Sequence, residues 1–315
     1  MHQTRASAKA AVPFDVILIK WHLGPAKGPW VPGYHGGLFD RLLRMDRYVV
    51  IGNPVAHSLS PTIHGLFARE TGEALEYTRL LVERGDFSRS ARAFFESGGR
   101  GASITLPFKS DAFEFATERS ARARRAGAAN FLMKRDEEIV ADNTDGAGLV
   151  RDLTRNLAFH LRDTRILLLG AGGAARGVLA PLLEEGPRCI VVANRTLERA
   201  RALVHEFGDL GKVEVRALDA IEPIPFDLVL NATSTSTLGL SLPLPDTVFG
   251  TGTLAYDLAY GASARAFTDR ALAAGARVTD GLGMLVEQAA EAFEMWRGKR
   301  PSTAPVLAEL RASRG

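Results

Sequence analysis

A continuous apolar run followed at once by a glycine-rich loop is the feature of this sequence that most restricts its fold. The run Arg165-Ile-Leu-Leu-Leu169 suits a strand that is buried on both faces, and Gly170-Ala-Gly-Gly-Ala-Ala175 comes directly after it. The loop matches the pattern G-x-G-x-x-A, in which the first glycine makes a tight turn and the second lets the backbone approach a pyrophosphate. The segment therefore predicts a strand–loop–helix unit that binds a dinucleotide; a purely structural turn is the alternative.

The next strand indicates which dinucleotide is bound. An NAD site places an Asp or Glu about 20 residues beyond the loop, whereas an Arg accommodates the 2′-phosphate of NADP. Here the strand Ile190–Ala193 ends in Asn194-Arg195-Thr196-Leu197-Glu198-Arg199, with no acid at its tip. Because the guanidinium of Arg195 is planar and always charged, it suits a phosphate group or the adenine face. We therefore predict NADP as the cofactor; for Arg199, a solvent-facing helix position is the alternative.

Short apolar runs alternate with helical stretches along the chain, which predicts an α/β fold with mainly parallel sheets. The first part is predicted to contain strands at 48–52, 75–82 and 102–105, helices at 61–71, 86–97 and 109–126, two paired strands at 131–133 and 138–141, and a helix from Asp145. The second part is predicted to contain strands at 165–169, 189–193, 213–217, 227–231, 254–257 and 277–279, with helices from Gly172 and at 197–207, 283–297 and 303–312.

We expect two α/β domains. Residues 45–148 would form a substrate-binding domain with an open sheet, and residues 149–282 a Rossmann-type NADP-binding domain. The helices within 283–315 are expected to pack back on the first domain.

Positive charge is concentrated at the start of the chain. The 315 residues include 39 Lys and Arg and 36 Asp and Glu, for a net charge of +3, and six of these basic but only two of the acidic residues lie in residues 1–44. The remainder is slightly acidic, so the charge gives no reason to expect a nucleic-acid partner. We interpret residues 1–44 as a non-native or poorly structured leader, and expect a chain that starts at Met45 to keep full activity.

The start of the chain shares features with two kinds of targeting signal. Asp15 interrupts the apolar run Val12–Ile19, which argues against a signal peptide. The acid-poor start fits a transit peptide, but the Gly-Pro and Pro-Gly turns argue against an amphipathic helix.

Several other classes of protein are excluded by composition. No stretch reaches the roughly 18 consecutive apolar residues of a membrane-spanning helix, so we expect no membrane partner. Cys189 is alone, which excludes a disulfide framework and a cysteine-based metal site. We therefore expect a cytoplasmic protein without a metal, acting on a small molecule.

Polar residues follow strands of the first part, where open α/β sheets place their ligands. Ser58 and Ser60 are two hydroxyls in one loop, although capping of the next helix by Ser60 is the alternative. Lys109 and Asp145 stand at two strand-to-helix junctions and could form an acid/base pair. A solvated helix start and an N-cap are the respective alternatives. His57 and His64 are interpreted as structural.

The ordered set of motifs resembles the shikimate dehydrogenase family from Arg47 to Trp296. The matching segments are 50–64, Ser103-Ile-Thr-Leu-Pro-Phe-Lys109, Asn143-Thr-Asp-Gly146, 170–175, Asn194-Arg-Thr196, Asn231-Ala-Thr-Ser234, Tyr256-Asp-Leu-Ala-Tyr260 and 280–288. The resemblance implies NADPH-dependent reduction of 3-dehydroshikimate to shikimate, on the chorismate route to aromatic amino acids. Closure of two domains over the substrate would exclude water from the reaction.

The resemblance also implies roles for individual residues. Lys109 and Asp145 would be the catalytic pair. The substrate would be held by Ser58, Ser60, Thr105, Asn130, Asp145, Tyr260 and Gln288. The cofactor would be lined by Gly170, Ala171, Gly172, Gly173, Ala174, Asn194, Arg195, Thr196, Leu197, Glu198, Arg199, Leu258 and Gly281.

Two positions depart from the family pattern. The family commonly has Asn at the position of Ser103 and Thr at that of Phe131. These changes leave open a quinate/shikimate or aminoshikimate dehydrogenase, and a relative that prefers NAD is a further alternative, against which Arg195 argues.

The sequence also bears on other functions and on assembly. A non-catalytic NADP-binding regulatory module would be expected to lack Lys109 or Asp145, and both are present. Dehydrogenases of tetrahydrofolate derivatives share the general architecture but lack these substrate motifs. Family members occur as monomers and dimers, so a homodimer is compatible with the sequence.

Overall fold

Two six-stranded sheets with helices on their faces make up the part of the chain that the computed structural model describes, residues 45–233, 235 and 242–313. The expected leader 1–44 and Ser234 lie outside the described residues. The two-sheet α/β prediction is confirmed.

The first sheet is mixed. Its strands are β1 Asp46–Gly52, β2 Leu75–Leu81, β3 Gly99–Ile104, β4 Glu118–Arg119, β5 Phe131–Arg135 and β6 Glu138–Asp142. They lie in the order β2-β1-β3-β5-β6-β4. Strand β5 runs antiparallel to its neighbours β3 and β6, and the other pairs are parallel.

The second sheet is parallel throughout. Its strands are β7 Arg165–Leu169, β8 Cys189–Asn194, β9 Val213–Ala217, β10 Leu228–Asn231, β11 Leu254–Asp257 and β12 Arg277–Thr279. The order β12-β11-β10-β7-β8-β9 reverses between β7 and β10, so the loop after β7 opens at the switch point where such sheets bind dinucleotides.

Ten α-helices occur in the described residues. They are α1 Ser60–Thr71, α2 Phe87–Glu96, α3 Lys109–Phe115, α4 Ala121–Ala126, α5 Asp145–Arg151, α6 Gly173–Glu184, α7 Leu197–Phe207, α8 Arg265–Ala273, α9 Leu282–Arg297 and α10 Thr303–Ala312. Helix α5 continues as one π-helical segment, Asp152–Asn156. None of these helices has the length and apolar character needed to cross a bilayer.

Helices α9 and α10 pack on helix α1. Phe293 of α9 and Leu307 of α10 share a buried cluster with Phe67 of α1. Helix α9 also crosses α5 closely, because a side chain at Gly148 would lie 2.7 Å from Cβ and 2.8 Å from the backbone nitrogen of Gln288. Helices α5 and α9, which both carry predicted site residues, are therefore in direct contact.

The single helix predicted at 109–126 is wrong. Helix α3 ends at Phe115, and the backbone nitrogens of Thr117 and Ser120 bond to the carbonyls of Ile139 and Ala141 on β6, both at 2.9 Å. The Ser120 hydroxyl then caps α4 by accepting from the nitrogen of Ala123 at 3.0 Å. Pairing with the edge of the sheet therefore replaces the middle of the predicted helix. Helix α8 was not predicted at all.

Candidate active site

Lys109 and Asp145 meet at the carboxyl ends of the first-sheet strands. The Lys109 ammonium is bonded to Oδ2 of Asp145, and their side chains are 18% and 7% exposed. Lys109 is therefore not a solvated helix start. Asp145 is the first residue of α5, after Thr144 as N-cap, so the N-cap alternative for Asp145 is also wrong. An ammonium and a carboxylate in direct contact form a pair that can hold and move a proton.

The amide of Asn130 fixes the other oxygen of this carboxylate. Its Nδ2 donates to Oδ1 of Asp145 at 2.8 Å, and its own Oδ1 accepts from the backbone nitrogen of Thr144, also at 2.8 Å. From α9, Oε1 of Gln288 accepts from Nδ2 of Asn130 at 3.1 Å and from the Thr144 hydroxyl at 3.2 Å. Four predicted site residues, Lys109, Asn130, Asp145 and Gln288, are thus brought together.

Ser58 and Ser60 form a second polar group. Their hydroxyls are 3.2 Å apart, with Ser58 donating to Ser60. Ser60 is the first residue of α1, whose N-cap is Leu59 and lacks a side-chain cap. The capping alternative for Ser60 is therefore wrong, and its buried hydroxyl bonds to neighbouring hydroxyls instead.

The structure places Thr105 and Tyr260 on two other elements. Thr105 follows β3, where its backbone nitrogen bonds to Ile51 of β1 at 2.9 Å. Tyr260 precedes a short 3₁₀ segment and packs against the cluster formed by α1, α9 and α10.

The glycine-rich loop has the geometry of a pyrophosphate cradle. Gly170 has a φ of 106°, which favours glycine, and a side chain on it would lie 3.0 Å from the carbonyl of Ala232. A Cβ on Gly172 or Gly173 would meet open space. Gly172 is the N-cap of α6 and provides no side-chain cap, so the first N–H groups of α6 face this space beside Ala171 and Ala174. A dinucleotide phosphate fits here because it would accept from those groups.

The tip of β8 presents exposed cations. Arg195 and Arg199 are exposed, and no ion pair is found for either among the described residues. The amide of Asn194 holds the turn by donating to the carbonyl of Thr196 at 2.8 Å, after which Leu197 begins α7. Glu198 is likewise exposed. Two exposed guanidinium groups at this position suit a 2′-phosphate.

Leu258 and Gly281 are also neighbours. A side chain at Gly281 would overlap the Leu258 carbonyl, so only glycine allows this approach. Both residues follow strands of the second sheet, at its carboxyl edge.

Two glycines bring the segment that carries Asp145 against the helix that follows the glycine-rich loop. A Cβ on Gly177 of α6 would lie 3.1 Å from Oδ1 of Asn143 and 3.3 Å from Oδ2 of Asp145. A Cβ on Gly146 would lie 2.6 Å from the carbonyl of Gly177 and would overlap Pro181. The carboxylate therefore lies against the helix that begins at the glycine-rich loop. Gly177 was not among the predicted site residues. Its position about one helical turn beyond the glycine-rich loop is the only sign of its role in the sequence.

Cys189 is buried, and the described residues contain no group of three or more His, Cys, Asp or Glu placed to hold a metal ion.

Sequence comparisons match this architecture segment by segment. The profile of the shikimate dehydrogenase substrate-binding domain matches residues 50–132, that of shikimate/quinate 5-dehydrogenase matches 152–241, and that of the shikimate 5′-dehydrogenase C-terminal domain matches 281–311. A shikimate dehydrogenase (NADP(+)) of Hahella chejuensis is 53% identical over 268 residues, which are 85% of this chain and 99% of the relative. The chain belongs to the shikimate dehydrogenase family.

Solved structures agree with this membership of the shikimate dehydrogenase family. The Ael1 enzyme of Pseudomonas putida is 49% identical, with a TM-score of 0.80 over 84% of this chain and 98% of that one. The shikimate 5-dehydrogenase of Thermus thermophilus, solved with NADP(H) and shikimate, is 32% identical, with a TM-score of 0.75 over 85% of this chain and 100% of that one.

The two departures from the shikimate dehydrogenase pattern lie directly opposite each other. Ser103 of β3 and Phe131 of β5 are register partners. Phe131 is fully buried and stacks on Trp296 of α9, with ring centroids 5.0 Å apart. A smaller side chain at 103 is thus accompanied by a larger one at 131, on the neighbouring strand.

Proposed function

We propose that this protein is an NADP-dependent shikimate dehydrogenase that reduces 3-dehydroshikimate to shikimate reversibly, in the synthesis of chorismate and aromatic amino acids. The observation that carries the proposal is the Lys109–Asp145 pair, fixed by Asn130 and lying against Gly177 of the dinucleotide-binding helix. A proton-transfer pair and a cofactor cradle are thereby placed side by side, as a reduction of a ketone requires.

Lys109 is the proposed proton donor. Bound NADPH supplies a hydride to the ring ketone. The Lys109 ammonium gives a proton to the oxygen on which negative charge develops, and takes it back in the oxidation of shikimate. Asp145 holds that ammonium in place, and Asn130 keeps the carboxylate from rotating.

The remaining polar groups are proposed to hold the ring. Hydroxyl and amide groups suit a polyhydroxylated carboxylate, because each can donate to one oxygen and accept from another. The proposed substrate residues are Ser58, Ser60, Thr105, Asn130, Asp145, Tyr260 and Gln288.

The cofactor is proposed to lie along the carboxyl edge of the second sheet. The N–H groups at the start of α6 would receive the pyrophosphate, and Arg195 the 2′-phosphate. The proposed cofactor residues are Gly170, Ala171, Gly172, Gly173, Ala174, Asn194, Arg195, Thr196, Leu197, Glu198, Arg199, Leu258 and Gly281.

We also propose the division into a substrate-binding part, residues 45–148 with 283–315, and an NADP-binding part, residues 149–282. A cytoplasmic location is part of the proposal, since a lone buried Cys189 is typical of reducing compartments. A homodimer is compatible with it, and light scattering of the purified chain decides between monomer and dimer.

A spectrophotometric assay tests the function. NADP and NAD are each offered with shikimate, quinate and aminoshikimate, and the absorbance of the reduced nicotinamide is followed. The proposal expects the highest kcat/KM with shikimate and NADP. Ser103 and Phe131 favour a second candidate, a quinate or aminoshikimate dehydrogenase, which a higher kcat/KM with either of those substrates would establish. No turnover with any pair would exclude both.

A further inference from the structure

We propose that Tyr77, a residue of strand β2 outside all the sequence motifs, is a substrate-positioning residue that orients Ser60 and Ser103. The inference rests on the proposed function, because it takes the ligand to be a ring that carries hydroxyl and carboxylate oxygens.

Four hydroxyls form a chain that runs from the start of α1 to strand β3. The Tyr77 hydroxyl donates to Oγ of Ser103 at 2.7 Å, and the side chain of Ser60 lies beside the same hydroxyl. Ser60 in turn accepts from Ser58 at 3.2 Å. Tyr77 therefore lies between the start of α1 and strand β3.

The phenol sets the direction of the bonds. A phenol is a stronger acid than an aliphatic alcohol, so Tyr77 is the better donor to Ser103. Ser103 then accepts from Tyr77 and keeps its own O–H to donate to a ligand oxygen. Ser60 accepts from Ser58 and lies beside the phenol oxygen. Without that oxygen, Ser103 would lose its donor, and its hydroxyl would have to be ordered when the substrate binds.

The ring of Tyr77 is held rigidly from below. It stacks on the imidazole of His64, with ring centroids 4.2 Å apart and planes at 5°. His64 is 1% exposed, and burial lowers its pKa to about 3, so the imidazole is uncharged and offers a flat, neutral ring face. Trp296 lies 6.2 Å from the Tyr77 ring on the α9 side. The packing of the ring therefore fixes the position of the Tyr77 hydroxyl.

Tyr48 provides a matched control. It is the register partner of Tyr77 on the neighbouring parallel strand β1, so the two side chains leave the same face of the sheet. Its ring also packs on Trp296, at 4.8 Å, but its hydroxyl accepts from Arg297 at 3.3 Å and bonds to none of the serines in this chain of hydroxyls. Removal of the Tyr48 or the Tyr77 hydroxyl therefore takes one oxygen from the same group of packed aromatic rings.

The test compares Tyr77→Phe with Tyr48→Phe in the full chain. We expect Tyr77→Phe to raise the KM for shikimate about tenfold, the effect of one lost hydrogen bond, with kcat and the KM for NADP within about twofold. Tyr48→Phe should change all three by less than about twofold. Equal KM values for shikimate in the two variants, or a Tyr77→Phe defect confined to kcat, would overturn the inference.

A second variant tests the inference in case Tyr77→Phe does not fold. Ser103→Ala removes the acceptor of the phenol and should also raise the KM for shikimate, at unchanged thermal melting temperature; an unchanged KM would contradict the inference. A wild-type chain that oxidises no ring substrate overturns the proposed function and the inference together. An active wild type with indistinguishable Tyr77→Phe and Tyr48→Phe overturns the inference alone.

Discussion

Asn130 and Asp145 are joined by a hydrogen bond of 2.8 Å, while the second oxygen of the same carboxylate holds Lys109. Both oxygens of Asp145 are thus committed, one to a neutral amide and one to an ammonium. The amide cannot take the proton, so the pair has a single place where a proton can leave, the ammonium of Lys109.

Lys109→Ala removes that proton donor. We expect kcat to fall by about 10²–10⁴-fold, the usual contribution of a positioned acid, while binding of NADPH is unchanged. Steady-state kinetics and fluorescence titration of NADPH measure the two effects. Lys134→Ala, on β5 outside the cluster, is the control. Full turnover by a folded Lys109→Ala protein would exclude Lys109 as the donor.

Arg195→Ala tests the choice of cofactor. Loss of a guanidinium that binds a 2′-phosphate should raise the KM for NADP about tenfold or more and leave the KM for NAD unchanged. The control is Arg201→Ala, which removes an exposed arginine from the same segment, two residues beyond Arg199. An equal rise for NAD and NADP would mean that Arg195 does not contact the 2′-phosphate.

His64→Phe should change how stability depends on pH. Burial lowers the pKa of His64 from 6.5 to about 3. Between these values the unfolded chain binds a proton that the folded chain does not, so stability is full above pH 6.5 and falls as the pH falls. The loss at pH 5 should be about 2 kcal/mol.

This loss should disappear in His64→Phe and persist in His57→Phe, whose side chain is exposed. Urea unfolding at about pH 8 and about pH 5 gives the change in stability, which is compared within each variant. If stability changes equally between the two pH values in wild type, His64→Phe and His57→Phe, burial does not lower the pKa of His64.

Gly283→Ala tests the packing where α9 begins. An added Cβ would overlap the carboxylate of Asp152, which is 1% exposed and held by the hydroxyl of Tyr256 at 2.7 Å and the amide of Asn156 at 2.8 Å. We expect a loss of about 3 kcal/mol of unfolding free energy.

Gly65→Ala is the control for this substitution. A Cβ at Gly65, inside α1, meets no atom within 4 Å, so alanine should stabilise the chain by about 0.5–1 kcal/mol. Chemical denaturation gives both values. A Gly283→Ala protein as stable as wild type would mean that Asp152 moves aside without cost.

The second sheet could be predicted almost strand by strand because its elements carry local signals. The run 165–169 is apolar throughout, as a strand buried on both faces must be, and the loop after it has few conformational alternatives. The Lys109–Asp145 contact could be proposed because both residues follow strands that end at one edge of the sheet. The hydrogen bond between this pair and Asn130 could not be predicted, because it depends on how β5 and β6 pair.

Other features have no local signal. Strand β4 is two residues long and exists through its pairing with β6, so helix propensity over 109–126 pointed the wrong way. Tyr77 lies in an edge strand of partly buried and exposed residues, with nothing that marks it out. Its bond to Ser103 joins segments far apart in sequence, which one sequence does not place together.

The contact between Gly146 and Gly177 has a consequence for how the two sheets are joined. Leu149 and Leu153, which follow Asp145, are buried in the core of the second sheet together with Val178 of α6. Lys109, in contrast, begins a helix that packs on the first sheet. The segment that starts at Asp145 therefore joins the two sheets, because its first carboxylate bonds to Lys109 and its leucines belong to the core of the second sheet. The ion pair and this leucine core lie at opposite ends of one short helical segment.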